Sequence, residues 1–193
     1  MKKTIIHLLL YTVIALILVS CTGIPEGIEP VDNFQINKYL GTWYEIARLD
    51  HSFERGLSNV TAQYSLRRDG GIDVVNRGFS PENQEWQVAE GKAYFVNTSD
   101  SGYLKVSFFG PFYGSYVIFE LDEPGYQYSY VTGYNRDYLW LLARSPQVSD
   151  KILEDFFSTA ETKGFDIGEL ILVKQEKRET PSKNEKGNNN GPF

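Results

Sequence analysis

Cysteine and histidine are almost missing from this chain. One cysteine, Cys21, and two histidines, His7 and His51, stand among 193 residues. No intrachain disulfide can staple the fold, and there is almost no material for a transition-metal site. No Gly-x-Ser-x-Gly nucleophile elbow and no metal-ligand spacing occurs either, so the usual hydrolase signatures are excluded. A basic balance is lacking as well. The formal charge is −6, which argues against nucleic acid as a partner because phosphate binding needs a basic face. What the chain has in excess is aromatic residues, 15% with thirteen Tyr and twelve Phe. That favours strands or a lined pocket over a helical bundle, and 41% hydrophobic content is enough to bury the core of one domain.

The N-terminus reads MKKTIIHLLLYTVIALILVSC: two Lys, an uncharged apolar run from Ile5 to Val19, then Ser20 and Cys21. This is the pattern of a secretory signal, residues 1–20. The run falls short of the ~20 residues of a membrane-spanning helix, which is the alternative reading. LVSC also resembles the lipobox of bacterial lipoproteins, in which cleavage frees the Cys amino group and the sulfur carries diacylglycerol. Cys21 is then the lipidation site, and Thr22 in place of Asp after it implies sorting to the periplasmic face of a Gram-negative outer membrane. Loss of Lys2 and Lys3 with the signal moves the formal charge from −6 to −8.

Residues 21–33 hold the lipidated Cys and a Pro-, Gly- and acid-rich stretch, TGIPEGIEPVDN, that reads as a tether. Residues 177–193, KRETPSKNEKGNNNGPF, are polar, low in complexity and read as a disordered tail. Between them, over 34–176, short alternating runs are separated by turn signals, the mark of an all-β antiparallel sandwich or barrel. Strands are expected near 42–49, 58–67, 72–79, 85–97, 103–109, 115–122, 126–134 and 138–144. Asp69-Gly70-Gly71 supplies one hairpin turn. Eight strands in simple order fit an up-and-down β-barrel, which leaves no exposed edge. One amphipathic α-helix follows, from a Ser149 N-cap to a stop at Gly164, and then a short final strand in GELILVKQE.

Gly41-x-Trp43 at the first strand, YLWLLARSP with Arg144 ending the eighth, and the helix after it together resemble the lipocalins over residues 34–175. DHSFERG and KVSFFGPFYG are similar to the bacterial outer-membrane lipocalins, whose animal relative is apolipoprotein D. One departure is visible: where the second motif often reads Thr-Asp-Tyr, this chain has Pro124-Gly125-Tyr126. The resemblance implies a lipocalin calyx in which Trp43 closes the floor and Arg144 packs on it while bonding carbonyls of the segment leading in. Gly41, Trp43 and Arg144 are thus structural. A guanidinium over an indole contributes roughly 0.5–2 kcal/mol.

Period-two alternation then assigns the interior. Trp43 inward sends Glu45 and Ala47 inward and Tyr44, Ile46 and Arg48 outward. Counting back from Arg144 places Leu142, Trp140 and Tyr138 inside. Lys105 outside leaves Leu104, Val106 and Phe108 inside; Asp73 and Arg77 outside leave Val74 and Asn76; Lys92 outside leaves Ala93 and Phe95. Ala62 and Tyr64, Tyr116 and Ile118, and Ser129 and Val131 complete the lining, with Phe53 at the portal and Arg55 or His51 placed to meet a phosphate at the rim. The alternative is a barrel filled by its own side chains. Glu45, a lone acid among apolar residues, needs a proton, water or a hydrogen-bonding neighbour, and Glu120 shares the inward parity of Ile118.

Two functions follow from these residues. One is a lipid-anchored binding protein that stores or transports a fatty acid or lysophospholipid for the cell envelope, with no cofactor, no metal and no catalytic residue; a homodimer is compatible with it. The other is a lipocalin-fold enzyme in which Glu45 and Glu120 divide acid and base roles.

Overall fold

The computed structural model describes residues 22–176. The signal segment, Cys21 and the tail from residue 177 lie outside the described residues. Eight strands follow in order: β1 Gly41–Leu49, β2 Ser58–Leu66, β3 Ile72–Ser80, β4 Glu85–Phe95, β5 Tyr103–Phe109, β6 Phe112–Leu121, β7 Tyr128–Thr132 and β8 Leu139–Ala143. Each pairs antiparallel with the next, and β1 pairs with both β8 and β2, which closes the barrel. The last two strands are shorter than their alternation suggests. A four-residue helix α1, Ile36–Tyr39, leads into β1 and has no periodic signal long enough to read.

Helix α2, Asp150–Thr162, starts at Ser149, whose hydroxyl accepts from the Ile152 N–H. It ends where Gly164 takes φ +79°, a conformation that costs a residue with a Cβ. Its Phe156 and Ala160 are buried against outward-facing Tyr130, Leu139, Leu141 and Ala143. Tyr130 donates to Asp155 at 2.8 Å, tying the helix to the wall. A 3-10 turn, Ile167–Glu169, then delivers β9, Leu170–Leu172, to the far half of β1. There β9 takes the place that β2 has left. Gln175 bridges the opening by donating from its amide to the carbonyls of Glu45 and Val60, both at 2.8 Å.

At the closed end Trp43 is wholly buried. Its indole N–H donates to the Tyr39 carbonyl at 2.7 Å. The Arg144 guanidinium stands 4.0 Å from the indole and donates to the carbonyls of Lys38 (2.6 Å), Thr42 (2.9 Å) and Tyr126 (3.4 Å). Gly41 is required by its backbone, at φ +95°, and not by space, since a Cβ there would only touch the guanidinium Nη1 at 3.5 Å. In the departing motif Tyr126 itself takes positive φ (53°), and its hydroxyl accepts the Gln35 N–H at 3.0 Å.

The segment 22–33, expected to be a free tether, is fastened to the barrel. Ile28 is buried beside Val117, Tyr103 and Phe119. Val31 exchanges backbone bonds with Ile118 (2.9 Å) and Gly102 (2.8 Å), and the carbonyls of Thr22, Gly23, Glu26 and Gly27 accept from Tyr103, Ser115, Arg136 and Lys163. Its Pro and Gly content reads as a linker, but Ile24, Ile28 and Val31 give it something to bury.

Two β-bulges reverse the alternation and correct three orientations. In β1, Glu45 faces Leu142 while Ala47 faces Leu141, so Ile46 is the extra residue. Beyond it Ala47 turns outward into the cluster under α2, and Arg48 turns inward, only 1% exposed. In β6, Ile118 faces Val131 and Glu120 faces Tyr130, so Phe119 is the extra residue. Glu120 therefore lies on the outer surface near Asp155 and Lys163, and no interior pair with Glu45 exists.

Candidate functional site

The barrel encloses a cavity of about 570 Å³ that opens at the end opposite Trp43, within the roughly 300–1,000 Å³ of small-molecule sites. A wholly filled core is thereby set aside. Glu45, Phe53, Ala62, Tyr64, Val74, Asn76, Ala93, Val106, Phe108, Tyr116, Val131, Tyr138 and Trp140 border it, as do Leu104 and Leu142. Four expected residues do not. Ala47 is turned away by the bulge, Ile118 is wholly buried where Val31 crosses, Ser129 is wholly buried behind the Tyr39 hydroxyl, and Phe95 packs edge-on against Phe34, 6.2 Å between centroids.

Polar groups collect at two levels. At the base, the Tyr116 hydroxyl bonds those of Tyr39 and Tyr64, both at 2.8 Å, and Tyr39 reaches Ser129 at 3.3 Å. Tyr39 comes from helix α1, which the sequence did not reveal, and the other three from β2, β6 and β7. Burial pushes the Tyr39 phenol up to about 12 and those of Tyr64 and Tyr116 well above their usual value. All three stay neutral, so the base offers hydrogen bonds without charge.

Near the mouth, Glu45 is not alone. Arg48 donates to its carboxylate at 2.7 Å and to the Glu54 carbonyl at 2.7 Å, while the Trp140 indole N–H donates to the Glu54 carboxylate at 3.1 Å. Glu54 arrives on the β1–β2 loop and borders the cavity. Alternation does not extend to a loop, and it missed this acid. The guanidinium thus pairs with one carboxyl, that of Glu45, and holds the Glu54 backbone, while its charge acts on the Glu54 carboxyl only at longer range. Burial, then the Glu54 charge, hold the Glu45 carboxyl well above the usual range against the pull of Arg48; burial also raises Glu54. Arg48 Nε and, deeper in, Asn76 Oδ1 are buried without a hydrogen-bond partner.

His51 is not free to meet a phosphate. Its ring stacks between Phe53 (5.3 Å) and Tyr138 (4.7 Å) with Trp140 at 4.9 Å, and burial followed by Arg48 lowers it to about 4, so it is neutral at pH 7. Arg55 is ion-paired with Asp50 at 2.6 Å and stands in solvent. The basic side chain that does border the mouth, among the described residues, is Arg77, held 4.0 Å over Trp86.

Residues 34–175 match the family described as a lipocalin-like domain. The chain belongs to the lipocalin family. This lipocalin is 60% identical over 162 residues to the outer membrane lipoprotein Blc of Vibrio cholerae, covering 84% of this chain and 95% of the relative. It is 50% identical over 163 residues to Blc of Escherichia coli K12, covering 83% and 92%. Among solved structures, the cockroach allergen Per a 4 superposes with a TM-score of 0.62 at 20% identity, covering 80% and 96%, which bears on the fold alone. The barrel with its following helix and short strand is the lipocalin calyx. Its kinship with these outer membrane lipoproteins makes this lipocalin a lipid-anchored outer-membrane protein of the kind that binds small hydrophobic ligands. Among the described residues no group of His, Cys, Asp and Glu is gathered to hold a metal.

Proposed function

We propose that this lipocalin holds one acyl chain of a lysophospholipid or fatty acid, delivered to or stored at the outer membrane to which Cys21 anchors it. The observation that supports this reading is the cavity itself: an apolar chamber of about 570 Å³ with hydrogen-bonding groups gathered mainly at its base and mouth. Each methylene moved from water into such a wall contributes about 0.8 kcal/mol. The residues bordering the chamber from Ala62 to Trp140 are the ligand contacts, with Glu45 and Glu54 at the headgroup end.

The mouth favours a lysophospholipid over a free fatty acid. A free carboxylate would meet Glu45 and Glu54, whereas an ammonium headgroup finds those acids together with Phe53, Tyr138 and Trp140, and its phosphate lies within the reach of Arg77. The test is native mass spectrometry of the purified full-length protein with competitive displacement of a fluorescent fatty acid. Lysophosphatidylethanolamine is expected to compete about tenfold better than palmitate, a difference of ~1.4 kcal/mol. An empty cavity that displaces neither probe would overturn the reading.

A further inference from the structure

The exposed large apolar side chains are unevenly placed. Phe53, Trp86, Val88, Phe109, Phe112 and Tyr134 all stand at the open end, with Phe109 82% and Phe112 61% exposed on the β5–β6 hairpin. Leu66 (52%) is the exception at the closed end, and Ile171 and Leu172 lie on β9; otherwise the closed-end turns carry charge, Arg67, Arg68 and Asp69 at one, with Asp73 beside them on β3, and Asp122 and Glu123 at another. An apolar rim that the described residues leave exposed is a surface suited to another phase.

The N-terminal segment shows which phase. Traced backwards it leaves the closed end at Val31, climbs the outer wall of β6 and β7, and passes Ser115, which donates to the Gly23 carbonyl at 2.5 Å. A Cβ on Gly23 would lie 3.9 Å from the carbonyl of Tyr134 in the β7–β8 loop of the mouth. Thr22 is fixed by Tyr103, and Cys21 is the next residue, about 3.8 Å of chain away. Because the chain is held to the wall from Thr22 onward, acylation of the residue before it would tie the bilayer to the β5–β8 side of the barrel.

We propose that the open rim is a membrane-docking face: the barrel rests on the leaflet that holds its anchor, with Phe109, Phe112 and Tyr134 in the interface and the cavity opening onto lipid. The β3–β4 turn carries Glu82 and Glu85, so the rim meets the surface tilted, on its β5–β6 side. Lysophospholipid then passes between bilayer and calyx without crossing water. This rests on the lipid-carrier reading for its purpose but not for its geometry.

The experiment uses the acylated full-length protein in phosphatidylethanolamine–phosphatidylglycerol vesicles. Because Cys21 is consumed by acylation, Phe112→Cys, Glu82→Cys and Arg68→Cys each give one free thiol for an environment-sensitive fluorophore. Docking predicts emission that is blue-shifted and at least about twofold brighter at 112 than at 68, with 82 between them. Equal, water-like emission at 112 and 68 would overturn the proposal, as would a lipid-like signal at 68. A Phe109→Glu/Phe112→Glu variant is expected to take up lysophospholipid from vesicles about tenfold more slowly than any change in its affinity for a water-soluble short-chain homologue accounts for. Uptake at the parental rate would also overturn it. If the probe at 112 is embedded but no lysophospholipid binds in solution, docking stands and the carrier reading falls.

Discussion

At the closed end of the barrel Trp43 and Arg144 are held by four backbone carbonyls beside a neutral tyrosine network. At the open end Glu45, Arg48 and Glu54 bury three ionisable groups around one ion pair beneath a rim of exposed aromatics. Both ends use an arginine, wholly buried at Arg48 and partly exposed at Arg144. Arg144 answers to carbonyl dipoles, which keep no proton in play, whereas Arg48 answers to carboxyls that can take one up. Stability therefore resides at the floor, and response to ligand and pH at the mouth.

The contrast can be broken most forcefully at the floor. Trp43→Ala should cost about 3–5 kcal/mol in urea unfolding by emptying the plug, and at pH 7 little of the loss should depend on pH. Arg48→Leu should cost a similar ~3–5 kcal/mol at pH 7 by leaving Glu45 buried without a counter-charge. Here the penalty should shrink on acidification, because a protonated Glu45 no longer needs the guanidinium. If the Arg48→Leu penalty is flat from pH 7 to 5, the two ends are alike and the distinction fails.

A finer test uses the signs of the mouth titrations. Glu45 and Glu54 have folded pKa values above their unfolded ones, so the native state binds extra protons and stability falls as pH rises through that interval, beginning near 4.3. His51, lowered to about 4, acts in the opposite sense: its stability is present above about 6.5 and lost as pH falls toward 4. The parent should thus show a flattened profile across this range, and Glu45→Gln should uncover a profile that rises with pH, read by thermal melting from pH 4 to 7. Tyr116→Phe, which removes the hydroxyl shared by Tyr39 and Tyr64, should cost about 1–2 kcal/mol at any pH between 5 and 8. Smallest of all, Phe112→Ser should change stability by less than about 0.5 kcal/mol, since that ring supports nothing in the folded chain.

Trp43 and Arg144 were legible because each sits in a motif with a single sterically sensible use, and the strands because alternation and turns agree along most of the chain. The lining of β3, β4 and β5 could be counted from charged residues that must face water, and that of β8 from Arg144. The count failed wherever one added residue reversed it: Ile46 hid Arg48 from the interior and Phe119 lent Glu120 an inward parity it does not have. Tyr39 and Glu54 escaped for another reason. A four-residue helix and a loop have no period to count, and only the chain's path shows that they reach the cavity. The segment from Thr22 to Asn33 was misread from composition, which reports how easily a chain bends and not whether it has somewhere to lie.

Gln175 sits one residue before the end of the described chain, yet its amide spans the gap where β1 and β2 part beside Glu45. The barrel is therefore watertight only with its C-terminal segment in place. Proteolysis after residue 176 should leave the vessel sealed, whereas trimming two residues further would open a side leak directly onto the buried acid. Permeability of the calyx to water, and with it the charge that a bound headgroup meets, is set from a hundred and thirty positions away in sequence.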